Sequence, residues 1–219
     1  MPNTTMATIG DLINVDSLYA AVITVDTSSA YTPGTPFYLA PVGEIKHDPK
    51  ADSVISYYDG AAMFAYAFEG EAEETVTIPG LTEQVLAELT GKSFDSSAGV
   101  VWDNGDPSLS SFYALGYHLQ YGSSAGGVID KYRWFHKGLF IPSSEDAKTK
   151  GSKTDPQQLQ LTYKPLRTIH KWSVPDPRDA TGSSKILTGL KVARADTSNA
   201  SFIGAANWFS AVQVPVVTP

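Results

Sequence analysis

Residues 112–121 read Phe-Tyr-Ala-Leu-Gly-Tyr-His-Leu-Gln-Tyr, a strict period of two. In an extended chain Tyr113, Leu115, Tyr117, Leu119 and Tyr121 share one face, and Ala114, Gly116, His118 and Gln120 share the other. A helix cannot give that segregation. The tyrosine row reads as core or subunit interface rather than a ligand platform. Further segments carry β character: 18–26, 42–47, 54–58, 61–68, 75–78, 132–141, 159–163, 186–193 and 205–214. Asp59-Gly60 joins two of them as a hairpin, and Gly138 marks a possible bulge. One helix is expected: Thr82 caps it, Leu81, Val85 and Leu89 recur at spacing four, and Gly91 ends it. Val85, Leu86 and Leu89 should lie against a sheet. The fold class is therefore mainly β, a sandwich or barrel with one flanking helix.

Punctuation divides the chain. Residues 1–16, small and polar, read as an extended arm, and the ordered domain is expected from Ser17. Residues 31–37, with Pro33, Gly34 and Pro36, read as loop, as do 46–53, 143–156 and 172–184. The main β domain is placed at 17–172, with 173–219 as strands and tail completing it.

At 219 residues with 42% hydrophobic content, a proper core needs no staples. Cysteine is absent, which removes disulfides, thiol nucleophiles and Cys-type zinc sites. The longest apolar run, 61–68, is too short for a membrane helix, and the first residues lack a secretory pattern, so cytosolic synthesis and no membrane insertion are expected. The net charge of −7 includes no basic cluster that could neutralise a row of phosphates.

Candidate chemistry is sparse. His47, His118, His136 and His170 form no local metal-binding pair, and His118 and His136 are expected on the polar faces of strands. The 103–106 stretch, Asp-Asn-Gly-Asp, reads as a turn, since the order required of an EF-hand is missing. Neither a serine elbow nor a phosphate-binding glycine loop is present. No catalytic, cofactor-binding or metal-binding residue is assigned, and the chain is read as a non-enzyme without cofactors. Glu69, Glu71, Glu73 and Glu74 read as a solvated acidic face, the first three on one side of a strand.

A succession of short motifs runs through most of the chain: Gly43-Glu44-Ile45-Lys46 after a Pro-rich loop, Tyr57-Tyr58-Asp59-Gly60, and Thr75-Val76-Thr77-Ile78 leading into the helix. Ala114-Leu115-Gly116-Tyr117, Tyr132-Arg133-Trp134, Lys137-Gly138 and Lys148-Thr149-Lys150-Gly151 follow. Over about residues 18–170 this order resembles the major tail proteins of long-tailed bacteriophages, the subunits of the tail tube. The resemblance implies a β-sandwich or barrel whose copies close into hexameric rings, stacked as a hollow tube that conducts DNA. It further implies a place in the virion tail, assembly in the host cytoplasm, and the tape measure, terminator and tip proteins as partners.

Under that reading Glu69, Glu71, Glu73 and Glu74 are candidates to face the channel, where acidic character would keep DNA from adhering. Lys46, His47, Asp48, Lys50 and Asp52, with Lys148, Lys150 and Lys153, are candidates for contacts between rings. A competing reading is a virion or cell-surface module whose exposed Tyr and Trp rings grip carbohydrate.

Overall fold

The structure, a computed structural model, describes residues 9–106, 110–123, 126–142, 149, 157–179, 181 and 183–215. Strands occupy 57% of it and helices 8%, the balance of a β-sandwich with one flanking α-helix. Strand β1 (Ile9–Asp26) is long and bent. It pairs antiparallel with β10 (Tyr113–Ser123) along one edge, and with β2 (Tyr31–Pro33) and β3 (Phe37–Ala40) along the other. From β10 the sheet runs on through β11 (Val128–Pro142), β12 (Leu159–Leu166) and β7 (Glu73–Ile78) to β4 (Glu44–Asp48).

Two departures from expectation follow. Residues 9–16 are strand rather than arm, and 1–8 lie outside the described residues. The stretch 31–37 contains β2 and the first residue of β3, because Tyr31 and Pro33 pair with β1 despite the prolines around them.

The period-two face of β10 became the core. Tyr113, Leu115, Tyr117 and Leu119 pack with Leu18 and Ala20 of β1, Val76 and Ile78 of β7, Phe135 and Phe140 of β11, and Leu161 and Tyr163 of β12. A bulge in β1 at Ser17, whose φ is 57°, keeps this face continuous. Val15 lies against the core and Leu18 is buried in it, three residues apart, which an uninterrupted period of two would forbid. Helix α1 (Glu83–Thr90) closes the core from the side. Thr82 accepts from the Val85 N–H, Gly91 ends the helix at φ 75°, Leu89 is buried and Val85 and Leu86 pack partly beside it.

The opposite face of β10 is covered too, which its polar residues did not suggest. The 3-10 helix Ala205–Ser210 lays Trp208 over Ala21, Ala114 and Trp134, with Val212 buried in the same cluster. Gly116 makes room for this layer: a Cβ there would stand 2.8 Å from the Trp134 ring. The Trp134 Nε1–H donates to the Trp208 carbonyl at 3.0 Å. Segment 205–214, expected as strand, is thus a 3-10 turn and extended chain held by aromatic packing. The C-terminal region also supplies β15 (Val192–Asp196), which pairs with β11, and the two-stranded β13 (Lys171–Pro175) with β14 (Lys185–Gly189). Residues 172–175, read as the start of a connection, belong to strand β13. The short β8 (Ser93–Asp95) and β9 (Val100–Trp102) form another ribbon.

Candidate assembly surface: an exposed hairpin and its charged foot

Strands β5 (Ala51–Tyr58) and β6 (Ala61–Glu69) pair only with each other among the described residues. Asp59 (φ 50°) and Gly60 (φ 77°) turn the chain through two successive left-handed residues, the geometry that suits the twist of a two-residue hairpin. The expected loop 46–53 is instead the root of this ribbon. β4 ends at Asp48, Pro49 and Lys50 (φ 47°) make the joint, and β5 begins at Ala51.

No residue of the ribbon is buried. Directly opposed pairs set its two faces: Val54 with Tyr66, Asp52 with Phe68 and Ser56 with Phe64 on one, Ile55 with Ala65 and Ser53 with Ala67 on the other. The first is aromatic, and the second carries Ile55 and Tyr57 among small residues. Val54, Ile55, Tyr57, Tyr58, Met63, Phe64, Tyr66 and Phe68 are each at least half exposed. A two-stranded ribbon is marginal in water by itself, and a contiguous apolar patch of this kind marks an interaction surface.

The foot of the hairpin is charged, and here the acidic group divides. Glu69, Glu71 and Glu73 do not share one strand face: Glu69 ends β6, Glu71 lies between strands and Glu73 begins β7. Glu69 accepts from Lys191 Nζ at 2.8 Å, which holds its carboxyl below the usual range. Glu71 is exposed, 3.7 Å from Lys164. Glu73 is half-buried, and Glu74 is fully buried. Glu74 therefore cannot face a channel. Adjacent strand residues point to opposite faces, so once Val76 and Ile78 enter the core, Glu74 must enter with them.

Glu74 has partners there. His47 Nδ1 contacts its Oε1, the Tyr117 hydroxyl donates to its Oε2 at 3.1 Å, and Arg133 donates to that hydroxyl at 2.9 Å. Burial pushes the Glu74 carboxyl above its ordinary range, against the opposing pull of His47, Tyr117 and Arg133. His47 thus turns inward and is half-buried, whereas Lys46, Asp48, Lys50 and Asp52 surround the ribbon's root. Lys46, Lys50 and Asp52 are exposed, and Asp48 lies 3.6 Å from Lys50. Lys148, Lys150 and Lys153 lie outside the described residues.

The remaining candidates resolve locally. His136 is fully buried and His118 nearly so, not on the wet faces expected of them, because the C-terminal layer covers that side of the sheet. Asp103 and Asn104 accept from the N–H groups two residues on, at 2.8 and 3.0 Å, as a turn requires. What the sequence missed is the charged cleft behind the hairpin, where His47 and Glu69 meet Arg167, Lys191 and Arg194. These residues are spread over 148 positions, and no local pattern unites them. Among the described residues no helix is long and apolar enough to cross a membrane. No protein-family model matches the chain, and no curated protein gives a significant match.

Proposed function

We propose that this chain is a structural subunit that assembles with copies of itself into six-membered rings, stacked as the DNA-conducting tail tube of a long-tailed bacteriophage. The observation that carries the reading is the β5–β6 hairpin, an apolar ribbon with both faces exposed. An aromatic face and a second face carrying Ile55 and Tyr57 among small residues each call for a covering surface, and a ring of identical neighbours supplies both at fixed geometry. The mixed charges at the root, Lys46, Asp48, Lys50 and Asp52, would fix the register of that contact. Within this reading Glu71 and Glu73 remain the channel-facing candidates, and six copies multiply the net charge of −7 into an acidic ring that DNA slides past. The tape measure, terminator and tip proteins are the further partners, and the virion tail is the destination.

The test is electron microscopy of the concentrated purified protein beside a variant in which residues 51–69 are replaced by a short turn. Rings or tubes from the intact chain, and a folded but non-assembling variant, support the reading; a chain that stays monomeric at every concentration overturns it. A second reading rests on Tyr57, Tyr58, Tyr66 and Trp102, each more than half exposed, whose rings could stack on sugars. Glycan binding by monomers that never form rings would favour it.

A further inference from the structure

On the face of the sheet away from the main core, five polar side chains close a ring of hydrogen bonds across three strands. His118 on β10 contacts Asp16 on β1 through Nδ1 at 2.8 Å, and Asp130 on β11 through Nε2 at 3.0 Å. Asn14 donates to Asp16 at 3.0 Å and to Gln120 at 3.1 Å, and Gln120 donates to Asp130 at 3.2 Å. The Tyr132 ring stacks on the imidazole at 4.7 Å and is itself packed by Phe202, Trp208 and Phe209.

Two features set this ring apart from an ordinary solvated cluster. A carboxylate only accepts, so an imidazole bonded to a carboxylate through each nitrogen must carry both protons. And residues 9–16 of β1 are held along one edge alone: β10 pairs with them, whereas β2 and β3 pair with 18–26, leaving the other edge of 9–16 free among the described residues. Leu12 and Ile13 in that half-strand are more than half exposed. The β10 ladder, the His118 ring and the packing of Val15 against the core fasten it.

We propose that His118 is a proton-operated latch that fastens the first half of β1 to the sheet: closed while the imidazole is doubly protonated, and loosened when it loses one proton. On deprotonation one ring nitrogen becomes an acceptor facing a carboxylate, and one of the two contacts is lost. The titratable groups facing the ring are Asp16 from β1, and Asp130 and Tyr132 from β11, while the C-terminal layer presents apolar rings to Tyr132. Burial raises the Asp16 carboxyl, but hydrogen bonds from Ser17, His118 and Asn14, with the His118 charge, outweigh it and hold it below its usual range, so Asp16 stays an acceptor. The latch is a property of the single chain and does not depend on whether tubes form.

The test is amide-exchange protection of residues 9–16, corrected for intrinsic rates, compared between about pH 5 and about pH 8. Residues 18–26 of the same strand serve as internal control. Losing one charge-assisted bond predicts about a tenfold or greater loss of protection in 9–16 at the higher pH, and none in 18–26. In Asp130→Asn the side-chain amide can donate to an unprotonated Nε2, so protection should persist at both ends of the range. In His118→Gln it should be low throughout. Protection of 9–16 that is flat with pH in the native chain, or that falls equally in Asp130→Asn, overturns the proposal.

Discussion

Asp26, at the end of β1, ties the C-terminal region to the sheet, and removing it should cost a large part of the molecule's stability. Its carboxylate accepts from Lys137 Nζ at 2.7 Å and from the backbone N–H groups of Ile169 and His170 at 2.9 to 3.0 Å. Only 4% of its side chain is exposed, and 8% of that of Lys137. In Asp26→Ala the lysine keeps the Phe112 ring, 4.3 Å from its Nζ, but is left as a buried charge without its carboxylate, which costs about 3–5 kcal/mol. The two freed N–H groups add less, because Ile169 is exposed and water can reach it. Against a typical domain stability of about 5–15 kcal/mol, an expected loss of ~4 kcal/mol is decisive. Equilibrium denaturation followed by tryptophan fluorescence measures it, with Trp172 two residues beyond the tethered turn. Lys137→Met should be less costly, and the double variant should recover about 2 kcal/mol relative to the sum of the singles. A single-variant loss under about 1 kcal/mol, or strict additivity, would refute the reasoning. The pH dependence follows. Burial alone would raise the Asp26 carboxyl, but the His170 and Ile169 N–H groups and Lys137 bring it below its ordinary 3.8. Its contribution is therefore present above that value and lost as pH falls through the lower folded one.

Other expectations can be checked in the same way. Glu74 has a raised carboxyl, so its increment to stability is present below the ordinary 4.5 and lost as pH climbs through the folded value. Measured against Glu74→Gln, the native chain should lose stability as pH rises from about 4.5, and a pH-independent difference would contradict this. Gly138→Ala puts a Cβ 2.3 Å from the Tyr163 ring and 2.5 Å from the Lys164 carbonyl; a loss at or above the upper end of about 1–3 kcal/mol is expected in denaturant titration, since backbone cannot yield as a side-chain tip can. Trp208→Ala uncovers the outer face of the sheet and should cost about 3–5 kcal/mol, with loss of near-ultraviolet circular dichroism from Trp134. Replacing residues 51–69 by a turn should change stability by under about 1 kcal/mol by the same titration, because the hairpin's one ion pair with the body, Glu69 to Lys191 among the described residues, is at the surface.

How legible the molecule was depends on the kind of signal each residue carried. Helix α1 could be read to its caps, because Thr82 and Gly91 act through hydrogen bonds and backbone angles within four residues. The β5–β6 hairpin was equally legible in Asp59-Gly60. The first half of β1 was not: residues 9–16 lack periodicity and are strand only because β10 offers an edge and His118 a fastening. The acidic group was misread for a related reason. Four nearby glutamates look like one solvated run, yet where a strand restarts decides which of them turns inward, and Glu74 does because β7 begins at Glu73.

The alternation in 112–121 by itself determined that this chain builds a sheet, which side of β10 enters the main core, and that the molecule is mainly β. These are properties of a backbone whose side chains alternate every residue, and no distant partner can change them. Only the tertiary structure decided that the other side of β10 is covered as well, that His136 and Glu74 are buried, and that 205–214 is a 3-10 turn with extended chain under aromatic anchors. Each depends on contacts between residues tens of positions apart: Glu74 meets His47 and Tyr117 inside the main core, and in the C-terminal layer the energy of burying Trp134 under Trp208 outweighs what the local segment prefers.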